Sequence, residues 1–270
     1  MTDNFTQTTL GRTGFKVGRL GVAASYGAPA EAFEEAFEKG CNYFYLGSGR
    51  HRSGMKKAIR NLVAKGMRDK LVIAIQTYAR LGIITDALFT RTLKGLGIEY
   101  ADALILGWHN SQPFAMLEHF AAKMKTKGRC RFIGMSGHNR PLFAELNQKN
   151  FYDLFHVRYN PAHRGAETEI FPKISGPDRP GIVSYTATRW GQLLDSKNTP
   201  KGRTALNASD CYRFVLSNPG VDICMCGPKN VNQMRGALQA LHLGPLNHEE
   251  MEKVTAVGDH VHDTVGGFFA

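Results

Sequence analysis

The sequence lacks a long apolar run, a cysteine framework and a glycine-rich dinucleotide fingerprint, and each absence excludes a class of protein. No apolar run approaches the roughly 18 residues of a membrane span, and residues 1–12 lack the apolar core of a signal peptide. The five cysteines are scattered and odd in number, which excludes a disulfide framework and predicts a reducing, cytoplasmic setting. Cys224 and Cys226 have no second pair or histidine cluster nearby, so no metal site is expected.

Basic residues outnumber acidic residues in this sequence. The 270 residues include 34 Lys and Arg against 23 Asp and Glu, a formal net charge of +11, and 43% are hydrophobic. This composition predicts one folded domain over residues 1–270 and an anionic small-molecule partner. The basic residues form no RNA-binding motif or aromatic–basic stripe, so we expect no nucleic-acid partner, and without a spanning segment we expect no membrane partner. Oligomeric state is left open.

Short apolar runs alternate with amphipathic segments along the chain. Eight runs have the length and composition of buried parallel strands: residues 19–24, 41–46, 71–75, 103–106, 131–135, 154–157, 181–185 and 221–225. Seven segments between or after them carry helical spacing: residues 31–38, 55–64, 86–96, 114–124, 140–146, 210–216 and 231–241. This alternation predicts an α/β fold, a (β/α)8 TIM barrel with its site at the carboxyl ends of the strands. An open doubly wound sheet is the alternative, but no G-x-G-x-x-G follows any strand.

Two segments depart from the simple repeat. Residues 8–17 contain two glycines between short extended stretches, which predicts an N-terminal β-hairpin ahead of the barrel. Residues 190–210 form a connection after strand 7 that is too long and polar for a tight turn, and a loop in that position is typical of a lid or cofactor clamp.

Four motifs, in order along the chain, resemble the aldo-keto reductase family. They are LGRTGFKV at residues 10–17, GRCRFIGMSGH at 128–138, YDLFHVRYNP at 152–161 and LSNPGVDICMCG at 216–227. The second motif is most similar to that of a bacterial branch of the family. The resemblance implies a barrel reductase that uses NADPH without a Rossmann fold.

The family's catalytic tetrad is missing at the matched positions. The resemblance implies a Tyr that protonates the carbonyl oxygen, a Lys that lowers the pKa of that Tyr, an Asp that pairs with the Lys, and a His that orients the substrate. In this sequence Tyr45 occupies the position of the Asp, Gln76 that of the Lys and Gly107 that of the His. Arg50 occupies the position where the Tyr is expected. A buried Lys without its Asp would cost about 3–5 kcal/mol, so the joint loss indicates a site reorganised as a unit.

Tyr45, Gln76, His109 and Arg50 are the main candidates for the catalytic roles. Tyr45 is the leading proton donor, or else a core tyrosine that hydrogen-bonds Gln76. His109, two residues beyond Gly107, reaches the vacated histidine space if the strand continues, or else is a loop histidine. Arg50 binds an anionic substrate or an oxyanion, or else lies in a solvated loop. Tyr26 and Tyr78 are also expected at the mouth of the barrel, where each is either a catalytic group or part of the pocket wall.

The positions that match the family's cofactor-binding residues keep more of the family's residue types than the catalytic positions do. Ser136 matches the residue that holds the carboxamide, His156 stands at a usual Gln, and Tyr185 matches the aromatic residue that stacks on the nicotinamide. The pyrophosphate loop contributes Thr186, Thr188 and Arg189. The segment GPKNVNQMR supplies Lys229, Asn230 and Arg235 at the spacing of the family's 2′-phosphate contacts, or else forms a basic helix start that faces water. These residues predict NADP as cofactor.

Three functions remain from the sequence. The first is an NADP-dependent oxidoreductase that acts on a small carbonyl or an activated C=C or C=N bond with a non-standard proton donor. The second is a dinucleotide-binding protein without turnover. The third is a redox-neutral lyase or isomerase on the same barrel.

Overall fold

A computed structural model describes residues 5–47 and 49–266 of the chain. Within them, an antiparallel hairpin of β1 (Gln7–Thr9) and β2 (Lys16–Gly18) precedes a closed parallel barrel. The barrel strands are β3 (Leu20–Ala23), β4 (Tyr43–Leu46), β5 (Val72–Thr77), β6 (Ala101–Leu106), β7 (Cys130–Gly137), β8 (Leu154–Arg158), β9 (Gly181–Tyr185) and β10 (Ile223–Cys226). They pair in sequence order, and β10 closes on β3. The predicted TIM barrel and hairpin are confirmed, and the open sheet is excluded.

Helices cover the outside of the barrel. They are α1 (Ala30–Glu38), α2 (Ser53–Ala64), α3 (Gly82–Leu96), α4 (Ala115–Thr126), α5 (Arg140–Asn147), α6 (Ala166–Glu169), α7 (Ala208–Ser217), α8 (Val231–Leu243) and α9 (His248–Thr264). The short helix α6 and the long helix α9 are additions to the predicted set. Helix α9 has a defined start. Asn247 and Glu250 cap its start reciprocally, which fixes the first turn. Among the described residues no helix is long and apolar enough to cross a bilayer.

The apolar residues divide between two cores, as a closed barrel requires. Alternation along β4 sends Phe44 and Leu46 toward the helices, while Tyr43 and Tyr45 face the barrel interior. The hairpin contributes Leu10 to the interior core and so closes the barrel at the amino ends of its strands. The carboxyl ends are left open as the place for a site.

The connection after β9 is long, as predicted. It consists of two 3-10 turns, Arg189–Leu194 and Ser196–Asn198, followed by an extended stretch that ends at the capping box of α7. Thr186, Arg189 and Trp190 in this connection have positive φ, a region that residues other than glycine seldom adopt. Such strain concentrates at functional loops and is held in place by the surrounding contacts.

Candidate active site

One cavity opens at the carboxyl ends of the barrel strands, with a volume of about 830 Å³. It extends from the centre of the barrel mouth, under the connection after β9, to the first turn of α8. Its lining joins eight residues that the sequence singled out for catalysis or cofactor binding: Tyr45, Gln76, Ser136, His156, Tyr185, Thr186, Thr188 and Lys229. These residues lie at or near the ends of β4, β5, β7, β8 and β9, or follow β9 and β10 directly.

Tyr45 and Gln76 form the hydrogen-bonded pair that the sequence suggested. The Tyr45 hydroxyl donates to Gln76 Oε1 at 2.6 Å, and the Ser136 hydroxyl donates to the same oxygen at 3.4 Å. The backbone N–H of Trp108 donates in turn to Ser136 Oγ at 3.1 Å. A neutral network therefore occupies the place where the family's charged Asp–Lys pair is expected.

The missing histidine side chain at position 107 has a steric cause in the fold. A Cβ on Gly107 would lie 2.6 Å from Nε2 of Gln76 and 2.8 Å from its Cγ, far inside contact distance. Gln76 thus occupies the space that a side chain at position 107 would fill. The changes at positions 45, 76 and 107 interlock, which supports a site reorganised as a unit.

The centre of the cavity is uncharged. Burial raises the pKa of Tyr45 well above its usual value, and the neighbouring hydroxyls of Tyr78, Tyr43 and Tyr185 raise it further. His156 accepts or donates a 2.8 Å hydrogen bond with Tyr43 one layer deeper, and its complete burial lowers the pKa of its ring to about 3. Tyr45 therefore keeps its proton at neutral pH and is a weaker acid than a tyrosine in water.

The residues matched to the nicotinamide lie around the same centre. Tyr185 donates its hydroxyl to the carbonyl of Gly137 at 3.0 Å, which fixes its ring at the end of β9. A Cβ at Gly137 would lie 2.0 Å from the carbonyl oxygen of His109. The close backbone approach admits only glycine at this position.

Arg189 acts on the loop rather than at the cavity surface. Its buried guanidinium donates to the carbonyls of Val261 and Val265 at the end of α9, and Arg189 is not among the lining residues that the structure describes. Thr186, Thr188 and Trp190 do line the cavity from the same connection. The sequence expectation of a direct phosphate contact is replaced by a tether, because the helix carbonyls take both ends of the guanidinium.

The far end of the cavity lies at the first turn of α8. Exposed Lys229 lines it, while the Asn230 side chain caps the helix by accepting from the Gln233 N–H at 2.9 Å. Arg235 is placed differently from the expectation, since its Nε donates to both carboxylate oxygens of Glu35 on α1 at 2.9 and 3.0 Å. Of the three residues predicted to contact a phosphate, Lys229 lines the cavity. Asn230 and Arg235 are not among its described lining residues.

His109 and Arg50 lie apart from the cavity. The strand expected to carry His109 inward ends at Leu106, and Trp108 has a φ of 56°, which breaks the alternation. The His109 ring instead meets Arg80 at 3.1 Å, and burial and this guanidinium lower its pKa to about 4. Arg50 is exposed in the loop after β4, and neither residue is in the described lining.

Several lining residues carried no signal in the sequence. Trp108 and Tyr212 line the cavity but lie outside the quoted family motifs, while His138 and Gln233 lie within quoted segments that gave them no role. Trp108 reaches it through its positive φ, which no local pattern predicts.

The charge that lines the cavity is positive. Among its described lining residues none is Asp or Glu, and the amino terminus of α8, the positive end of a helix dipole, lies beside Lys229. An aromatic ring and a hydroxyl, those of Tyr185 and Ser136, line the cavity from β9 and β7. In residues 5–47 and 49–266 there is no cluster of three His, Cys, Asp or Glu that could hold a metal ion.

Comparison with known proteins gives a structural likeness. No family model matches the chain, and no curated protein matches it. Among solved structures, an aldo-keto reductase from Bacillus halodurans in its holo form superposes with a TM-score of 0.77 at 18% identity, over 93% of this chain and 95% of that chain. Its apo form gives a TM-score of 0.76 at the same identity and coverage. At this identity the likeness is one of fold.

Proposed function

We propose that the protein is an NADP-dependent oxidoreductase that reduces a small carbonyl or an activated C=C or C=N bond, with tyrosine hydroxyls as the proton source. The observation that carries this proposal is the continuity of the cavity. A single space of about 830 Å³ joins an aromatic and hydroxyl-lined centre at Tyr185 and Ser136 to a cationic helix start at Lys229. A nicotinamide and a phosphorylated adenosine at the two ends of one elongated ligand would suit that arrangement.

The residues that would hold the dinucleotide divide by chemistry. Tyr185 and Ser136 would meet the ring, Thr186 and Thr188 offer hydroxyls along the connection after β9, and Lys229 offers a cation to a terminal phosphate. When bound, the reduced nicotinamide supplies a hydride.

The acid must work without a neighbouring cation. Tyr45 is half-buried and its hydroxyl donates a hydrogen bond to Gln76, while Tyr78 lies on the solvent side and is about half-exposed. A substrate oxygen or nitrogen near Tyr45 would take the hydroxyl proton, and Tyr78 is placed to resupply it from water. Because the raised pKa of Tyr45 weakens it as an acid, substrates that need little protonation, such as an iminium or a polarised alkene, suit this centre better than an unactivated ketone.

The first experiment separates cofactor binding from turnover. Fluorescence titration of the protein with NADPH and with NADH should show saturable binding, with NADPH tighter. A panel of aldehydes, ketones, enones and cyclic imines then tests oxidation of bound NADPH. Absence of binding at millimolar cofactor would end the proposal.

The second experiment tests the acid. Tyr45→Phe should lower turnover by roughly 10²-fold or more, the range of general acid catalysis, while leaving the affinity for NADPH within a few-fold. Tyr78→Phe should give a smaller fall, because water can replace a relay. Tyr100→Phe, outside the cavity, is the matched control and should keep full activity. Unchanged turnover in Tyr45→Phe would remove Tyr45 from the mechanism.

One observation favours the second candidate, a dinucleotide-binding protein without turnover. The Tyr45 hydroxyl already donates its hydrogen bond to Gln76, and the pKa of Tyr45 is raised rather than lowered. Saturable NADPH binding with no oxidation across the whole panel would select this function over the oxidoreductase.

A further inference from the structure

One side of the cavity mouth carries a group of solvent-exposed apolar side chains. Ile83 is 87% exposed, Met116 74% and Phe114 72%. With three neighbours at the start of α3 they form what we term the apolar rim: Leu81, Ile83, Ile84, Leu88, Phe114 and Met116. Single exposed apolar residues are ordinary on a protein surface, whereas a group of six at adjacent loop ends marks a contact site.

The apolar rim is one surface because α3 and α4 start side by side. Gly82 lies against the Phe120 ring, where a Cβ would meet the ring at 2.9 Å, and Met116 precedes Phe120 by one helical turn. The Arg80 guanidinium donates to the carbonyls of Gly107 and Trp108 and so ties the loop before α3 to the loop before α4. The protruding side chains therefore belong to one edge of the molecule.

A group of cations lies beside this edge, between α2 and α3. Lys56 has Arg52, Arg60 and Arg91 as its charged neighbours, and their repulsion, after burial, lowers its pKa. Arg52 and Arg60 donate to the carbonyls of Gly47 and Gly95, and within the described residues no ion pair joins any of the four to a carboxylate. We term these four residues the basic cluster.

The apolar rim and the basic cluster are adjacent along one face of α3. Ile84, Leu88 and Arg91 follow at intervals of four and three residues on α3, so they share one side of it. On the other side of the rim, Ile83 borders a small groove between α3 and α4 that also carries Lys123, Lys127 and one carboxylate, Asp86. Apolar side chains flanked by cations on both sides are the pattern of surfaces that bind at a lipid interface.

We propose that the apolar rim and the basic cluster together dock the protein on an anionic phospholipid bilayer. The apolar side chains enter the boundary between headgroups and acyl chains, while the cations meet lipid phosphates, as long basic side chains do at interfaces. The most exposed members of this surface are Ile, Met and Phe, which a fluid bilayer can accommodate and a nucleic-acid backbone cannot. A second copy of the chain is disfavoured, since it would bring two basic clusters together.

Docking in this way sets the cavity beside the membrane. Tyr78 and Trp108 line the cavity. Both lie close to the apolar rim in sequence, and the Arg80 guanidinium donates to the backbone carbonyl of each. The contact needs no spanning helix, so it differs from the membrane partner that the sequence argued against. The inference is independent of the proposed reaction, because it concerns the outer surface alone.

Vesicle co-sedimentation tests the proposal with the full chain. Binding should be strong to phosphatidylcholine vesicles that contain phosphatidylglycerol and weak to phosphatidylcholine alone. Raising the salt to about 1 M, where charges are screened within about 3 Å, should weaken it. Ile83→Ser should lower the partition coefficient by roughly tenfold, and Lys56→Gln and Arg91→Gln by roughly fivefold each.

Matched controls separate this surface from general charge and stickiness. Leu243→Ser replaces a comparably exposed apolar residue on α8, and Lys173→Gln removes an exposed cation in the connection before β9. Both should bind as the unchanged chain does, and thermal melts should show that all five variants fold. Equal binding to both vesicle types, equal loss in the controls, or a dimer in light scattering that Ile83→Ser dissolves would each overturn the proposal.

Discussion

Gln76 accepts hydrogen bonds from two hydroxyls at the barrel mouth and also fills the volume beside Gly107. A Lys restored at position 76 alone would be a buried cation facing Tyr45 rather than a carboxylate, at a cost of about 3–5 kcal/mol. A His restored at position 107 alone would collide with Gln76. Single substitutions toward the family pattern are therefore opposed by neighbouring side chains.

Two glycines give a direct test of this interlocking. Gly107→Ala should destabilise the fold by about 1–3 kcal/mol, the usual cost of overpacking, because the new Cβ meets the Gln76 side chain. In a Gln76→Ala background the same substitution should cost close to nothing. Gly137→Ala meets a backbone carbonyl instead, so its cost should be the same in both backgrounds. Urea unfolding of the three single and two double variants measures these differences, and a full cost for Gly107→Ala without Gln76 would contradict the account.

Lys229 and Arg235 allow a similar comparison at the phosphate end. Lys229 lines the cavity, whereas Arg235 is paired with Glu35. We therefore expect Lys229→Ala to weaken NADPH roughly tenfold, the loss of one charge-assisted contact, and to leave NADH nearly unchanged. Arg235→Ala should change either affinity by much less. Titration of both variants with both cofactors checks this, and equal weakening of NADPH and NADH by Lys229→Ala would refute a 2′-phosphate contact.

At the scale of elements, the connection after β9 is held in an unfavourable backbone conformation by contacts at both ends. Positive φ at Thr186, Arg189 and Trp190 costs roughly 1–2 kcal/mol per residue. The Asn160 amide donates to the Thr186 carbonyl at 2.9 Å, and Arg189 binds the end of α9. Helix α9 thus supports the cavity indirectly, although it contributes no residue to the described lining.

Cutting the tether to α9 should therefore affect both stability and binding. Arg189→Met should lower the free energy of unfolding by about 2–3 kcal/mol, since two carbonyls lose a buried charged donor. It should also weaken dinucleotide binding, because the released loop must be ordered on binding. Arg164→Met is the control: it breaks an exposed ion pair to Asp259 on the same helix and should cost under about 1 kcal/mol. Equal stability of the two variants would show that the tether is unimportant.

The elements and the site differ in how much the sequence predicts. Strand positions follow from short apolar runs, and β9 matches its predicted bounds, residues 181–185, while the other strands shift by one to a few residues. Helix α9 was missed because its apolar residues are sparse between charged ones. Within the site, the Tyr45–Gln76 hydrogen bond follows from their facing strand ends. The partners of Arg189 and Arg235 do not, because each lies on a helix distant in sequence.

At the scale of the whole molecule, the excess positive charge has several local explanations. Lys229 serves the cavity, and the basic cluster lies on the outer face between α2 and α3. Other cations are neutralised internally: Arg213 pairs with Glu250, and Arg179 with Asp222. The net charge predicted an anionic partner but could not locate it, because only packing shows which cations remain without a carboxylate.

Buried neutral histidines make the whole fold sensitive to acid. Burial lowers the pKa of His156 and of His163 to about 3 and that of His109 to about 4, against about 6.5 in the unfolded chain. Below pH 6.5 the unfolded state therefore binds more protons than the folded state, so stability is full above that pH and falls as the pH drops toward 4. His156, which is completely enclosed, should contribute a slope of up to about 1.4 kcal/mol per pH unit.

His156→Gln isolates this contribution without emptying the barrel. The amide can keep the hydrogen bond to the Tyr43 hydroxyl but takes up no proton in either state. Urea unfolding between pH 7 and about pH 4.5 should show a shallower loss of stability in this variant than in the unchanged protein. His119→Gln, at an exposed position of α4 that water reaches in both states, should keep the original slope. If His156→Gln loses stability as steeply as the unchanged chain, the acid sensitivity arises elsewhere and the buried Tyr43–His156 pair is not its source.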